Sequence, residues 1–191
     1  MFIYETKKGK KYYLRETRTK TGKTKVTISR SFDNALDEIP DGYEIYENIN
    51  GQAFFRKIKP RSIQEKEISF VEAEIKGKSK KKYIIAKKDG DEIILYEPLG
   101  DIDSIAESMV RDGARKTLAG CRQYLLENAI YAGFFKFILV EPEDRMFQAQ
   151  RFCYRGSVDD WINLDRPRSI KDLLKKFVVH FGRDSFYELC W

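Results

Sequence analysis

Ten basic side chains crowd the first thirty residues: Lys7, Lys8, Lys10, Lys11, Arg15, Arg18, Lys20, Lys23, Lys25 and Arg30. Tyr12 and Tyr13 sit among them. The chemistry such a set offers is electrostatic. Lys and Arg neutralise phosphates and release counterions, and tyrosine rings stack on unpaired bases. Lysine outnumbers arginine here, which favours backbone contacts over base readout by Arg, Asn or Gln. Two Glu share the stretch, so its local charge is +8, while the other 161 residues carry 26 basic and 28 acidic side chains. The whole-chain charge of +6 is therefore an N-terminal property. The competing reading is a solvated ribbon whose lysines blunt an exposed edge strand. A second local excess runs from Lys76 to Lys88, with seven Lys and no acid, and reads first as a solvated surface.

Other reactive residues are sparse. His180 is the single histidine, and near a helix C-terminus its protonated ring would meet the negative end of the dipole. Cys121, Cys153 and Cys190 are odd in number and widely spaced, which points to a reducing, cytoplasmic setting without a disulfide framework. With His180 they have zinc-ligand chemistry but not the close ligand pairs of zinc sites. Glu141, Glu143 and Asp144 in one loop, and Asp159 and Asp160 in the next, could hold Mg²⁺ for a metal-dependent hydrolase if the loops met. No glycine loop for phosphates is present, and no cofactor or resident metal is expected.

The elements that must position these residues follow from patterning. Phe134 to Tyr154 reads as a hairpin at the centre of a sheet, with an apolar strand covered on both faces and Glu141–Arg145 as its turn. Tyr12, Leu14, Val26 and Ile28 alternate around Thr21-Gly22, which predicts a two-stranded basic ribbon over residues 10–30. Phe32, Ala35, Leu36 and Ile39 predict a short helical or irregular bridge. Residues 42–58 read as a second hairpin around Asn50-Gly51, and Tyr83–Glu97 as a third. Ser62–Glu65 and Ser104–Glu107 each match a capping box. The first opens a helix with Val71 and Ile75 inward; the second opens one with Ile105, Met109 and Val110 on one face. Leu118, Cys121, Leu125 and Ala129 make a further helical stripe. Gly156–Leu164 reads as a tight connection anchored by Trp161, and Ser169 caps a last helix carrying Leu173, Leu174, Phe177 and Val178.

The expected fold is α+β: an antiparallel sheet of hairpins packed by amphipathic helices in α-β-β-α-β-β-α order. Residues 1–60 form an N-terminal basic hairpin extension and 61–191 the main domain. The longest apolar run, Ala129–Val140, is too short for a membrane span, and the N-terminus lacks the apolar core of a secretion signal. Lys11-Tyr-Tyr-Leu-Arg-Glu followed by Gly22-Lys resembles the hairpin that opens many transposase-like mobile-element proteins, whose catalytic region has no counterpart here. Ile39–Glu47 with Asn50–Gln52, and Gly156–Trp161, resemble uncharacterised bacterial proteins, which implies no mechanism. The expectation is a non-catalytic module contacting nucleic acid through residues 7–30. The alternatives are a ribbon that pairs with a protein partner or a second copy, and the hydrolase above.

Overall fold

The computed structural model describes residues 1–60, 62–114, 117–155 and 158–189. Gly156, Ser157 and the thiol Cys190 fall outside them. The fold is mixed α+β, and every paired strand is antiparallel among the described residues. The chain forms two compact units, Met1–Ile58 and a second beginning at Lys59.

The first unit holds β1 (Tyr4–Glu5), β2 (Lys11–Arg18) and β3 (Thr24–Ser29) in one sheet, order β1-β2-β3, and the hairpin β4 (Tyr43–Glu47) with β5 (Ala53–Lys57). The basic ribbon thus gains a third, short strand. Its β2–β3 turn closes through Gly22 N–H to the Thr19 carbonyl at 2.9 Å, with Gly22 at φ +79°. The residues after β3 do not form a helix. Ala35 instead bridges Arg15, and Leu36 N–H donates to the Leu14 carbonyl at 2.8 Å, so this segment extends along β2. Phe32, in this irregular segment, is exposed.

The second unit is built on a sheet of order β10-β9-β8-β7-β6, from β6 (Ile85–Asp89), β7 (Glu92–Pro98), β8 (Tyr131–Glu141), β9 (Met146–Arg155) and β10 (Val158–Asn163). A two-residue strand, β11 (Arg168–Ser169), also pairs β9. β8 is central, as the apolar run predicts. It is covered on one face only: Phe135, Phe137 and Leu139 are buried, whereas Lys136 and Ile138 are half-buried and Val140 is exposed. The run looks two-sided because of a bulge. Leu95 pairs Phe135 but Tyr96 pairs Gly133, which skips Phe134 and lets Phe134 and Phe135 both turn inward against Phe181 and Phe186. Residues 158–163, expected as a connection, form β10, because Val158–Asn163 pairs along Gln150–Arg155 of β9. Arg151, which interrupts the inward face of β9, is itself buried; its guanidinium donates to the Leu189 carbonyl at 2.5 Å and the Tyr187 carbonyl at 3.3 Å.

Helices α1 (Glu65–Lys78) and α4 (Ile170–Phe177) close the buried face through Val71, Ile75, Leu173, Leu174 and Phe177. Between β7 and β8 lies the helix pair α2 (Ile102–Arg111) and α3 (Leu118–Asn128). Two caps differ from the expected boxes. At α1 the Glu67 carboxylate accepts the Gln64 N–H at 2.8 Å, two residues past the expected start. That carboxylate also pairs with Arg145, which holds the helix start to the β8–β9 turn. At α2 Asp101, not Ser104, is the N-cap and accepts the Ser104 N–H at 3.1 Å. The inward face of α2 is accordingly Ile102 and Ala106, and Ile105 is exposed. Ser169 caps α4 as expected, accepting the Asp172 N–H at 3.2 Å.

After α4, the 3₁₀ turn Val178–His180 leads to Gly182 at φ +79°, where a Cβ would stand 2.7 Å from the Lys81 backbone nitrogen. Gly113, at φ +73° between α2 and α3, meets nothing within 4 Å. Gly113→Ala is expected to cost the left-handed strain alone, roughly 1–2 kcal/mol. Gly182→Ala should cost clearly more, since the backbone of residues 80–81 must also move. Urea unfolding of both variants checks this; equal costs would show that the close approach is not a constraint.

Candidate nucleic-acid interface

Strand alternation sorts the basic ribbon into two faces. The β2–β3 register places Tyr13, Arg15 and Thr17 opposite Ser29, Thr27 and Lys25, with Lys11 in the same alternation. The other face carries Tyr12, Leu14, Glu16 and Arg18 with Val26 and Ile28. Leu14 is fully buried, so that face is the unit's inner one, and the Lys11–Tyr13–Arg15–Lys25 face is the outer one. Tyr12 and Tyr13 are therefore separated. Tyr12 lies under the Arg30 guanidinium at 6.0 Å, while Tyr13 meets Phe32 edge-on at 6.3 Å. Phe32 thus widens the aromatic surface beside Tyr13.

The remaining basic residues fall at the two ends of β2. Lys20 and Lys23 are exposed around the β2–β3 turn, beside Arg18 at the end of β2. Lys7, Lys8 and Lys10 lie at the β1–β2 turn, about 23 Å away along the strand at the usual rise per residue. That turn is tied down. The Lys7 N–H donates to the Glu47 carboxylate at 3.2 Å, Tyr4 Oη donates to the same carboxylate at 3.1 Å, and the Lys8 stem lies against Gly51. Burial first, then the Glu47 carboxylate, raises the Tyr4 pKa and keeps that phenol a donor. None of the ten Lys and Arg side chains has a carboxylate within ion-pair distance among the described residues. Arg15 Nε is also buried without a hydrogen-bond acceptor among them.

The second basic stretch belongs to the other unit and is largely neutralised. Lys78 pairs Glu74, Lys81 pairs Glu97, Lys82 pairs Asp103 and Lys88 pairs Glu65. Asp103 is the hub of one network: Lys82 Nζ donates at 2.9 Å, Tyr83 Oη at 2.9 Å and Arg122 Nε at 2.6 Å. These donors, Lys82 foremost, hold the Asp103 carboxyl down at about 2. A depressed carboxyl stabilises the fold above its unfolded pKa near 4 and loses that contribution as pH falls towards 2. Asp103→Asn is expected to unfold less steeply than the native chain between pH 4 and 2 while being less stable at pH 7. Thermal melts across that range test it, and parallel pH profiles would contradict it.

The other candidates do not assemble. Asp159 and Asp160 lie in β10 rather than in a loop. Among the described residues no three His, Cys, Asp or Glu side chains come together in a group that could hold a metal ion. His180 Nδ1 lies 2.9 Å from Ser185 Oγ, and Cys121 and Cys153 are buried free thiols. No helix among the described residues is long and apolar enough to cross a membrane. Compared with known proteins, the chain matches no family model, no curated protein and no solved structure.

Proposed function

We propose that this protein binds nucleic acid through the sheet of residues 7–30, contacting phosphates with little sequence selectivity. The observation that carries the reading is the contrast in charge pairing. The N-terminal Lys and Arg lack carboxylate partners among the described residues, whereas four of the lysines between 76 and 88 are engaged in ion pairs. Basic side chains left without counter-charges on a held strand pair supply the counterion-release term that dominates such binding. Lys11, Arg15 and Lys25 lie on one face, with Lys20 and Lys23 beyond it, so an extended anion running along β2 would meet several in succession. Tyr13 and Phe32 supply ring surface for an unpaired base, a role Tyr12 does not share.

The test is a salt series of fluorescence anisotropy with a labelled duplex and a labelled single strand. Affinity should fall linearly on a log–log scale. The combined variant Lys11→Gln, Lys20→Gln, Lys23→Gln, Lys25→Gln should flatten the slope by about 0.9 for each duplex phosphate no longer neutralised, or about 0.7 for the single strand. Absent binding, or a slope indifferent to these four changes, would sink the reading.

A further inference from the structure

The strand β6 is an edge: it pairs β7 on one side and ends the sheet order on the other. An edge strand leaves a row of N–H and C=O groups open to a further strand. Beside it a groove of about 500 Å³ opens between α1 and the start of β6. Its apolar lining is Ile75, Ile84, Ile85 and Ala86, and Lys76 and Lys82 stand on its rim with Glu72. The start of this edge is held in place. Tyr83 takes a left-handed φ of +61°, and both it and Lys82 are fixed to Asp103. The far end is fixed by Lys59, whose Nζ lies 2.8 Å from Asp89 Oδ2.

We propose that the outer edge of β6 takes one more strand from a separate, extended peptide in which acidic and apolar residues alternate. Alternate side chains of an added strand point to opposite faces. Those directed like Ala86, toward α1, would enter the apolar groove. Those directed like Lys87 would face a lysine that, like Lys76, has no carboxylate within ion-pair distance among the described residues. Charge also selects against the nearest rival occupant. Two copies of β6 pairing antiparallel about its lysines would set Lys87 of each copy opposite Lys88 of the other, and like charges directly opposite are destabilising. A nucleic-acid strand could use the lysines, but it offers no ladder partner for the edge and no apolar side chains for the groove.

The probe is a fluorescein-labelled, end-capped octapeptide of alternating Glu and Val, titrated into the full chain by anisotropy and by amide NMR. The acidic peptide should bind, with shifts concentrated at Ile84–Asp89 and Lys76, and its Lys-Val counterpart should not. Of two peptides N-methylated at odd or at even residues, one should bind at least tenfold more weakly, because it loses the ladder. The double variant Lys76→Glu, Lys87→Glu should weaken binding at least tenfold with its amide spectrum otherwise intact. Any of four results overturns the proposal: no binding at millimolar peptide, equal binding of both N-methylated peptides, peptide shifts confined to residues 7–30, or an oligothymidine that shifts β6.

Discussion

The fold of the larger unit depends on one aromatic cluster around Phe135. Its ring lies 5.2 Å from Phe137, 5.7 Å from Phe177 and 5.0 Å from Phe181, all measured between centroids. Phe181 in turn meets Phe134 edge-on at 5.3 Å. These contacts join the central strand of the sheet to α4 and to the 3₁₀ turns that follow it. Each tilted or edge-on pair adds about 0.5–1.5 kcal/mol beyond the area it buries. The bulge at Phe134 is what lets two consecutive phenylalanines serve the same core. The close passage of Gly182 against Lys81 is the geometric cost of bringing Phe181 in.

That cluster also decides how lysines are used in the second unit. Lys81 Nζ lies 4.8 Å from the Phe134 ring centroid and pairs Glu97, and the Lys80 N–H donates to the Phe181 carbonyl at 3.2 Å. The Lys-rich segment is thus stitched to the core, and much of its charge is taken up by neighbours. Among the described residues no carboxylate pairs with a Lys or Arg of the N-terminal sheet. The acids nearby are engaged otherwise: Glu47 accepts a backbone N–H and a phenol, Glu44 pairs Arg56, and Asp37 pairs the Met1 ammonium. Two stretches that look equally basic in sequence therefore differ in what they leave for a partner.

Most of the hairpins were legible because their turns and alternation are local. Asn48–Gly51 closes β4–β5, and Gly22 closes β2–β3, each with a glycine at positive φ. The helix starts were harder, since several Ser, Asp and Gln compete as caps and tertiary contacts choose. Arg145 draws Glu67 into the cap of α1, a pairing that sequence spacing cannot show. β10 was missed because Asp159 and Asp160 look like loop residues, although the strand pairs with β9, the strand immediately before it in sequence. In the candidate interface the ten cations were plain in the sequence. The separation of Tyr12 from Tyr13 follows from alternation once the strand is accepted. Phe32 was not legible, because its contact with Tyr13 depends on an irregular segment running beside β2.

The central claim is that the outer face of the N-terminal sheet, not its inner face and not the second unit, meets a polyanion. Amide and side-chain NMR shifts on titration with a short oligothymidine locate that contact directly. The expected result is shifts centred on Lys11, Tyr13, Arg15, Lys25 and Phe32, with Tyr12 and Leu14 little changed. Shifts centred on residues 76–88, or spread evenly over both faces of the sheet, would contradict it.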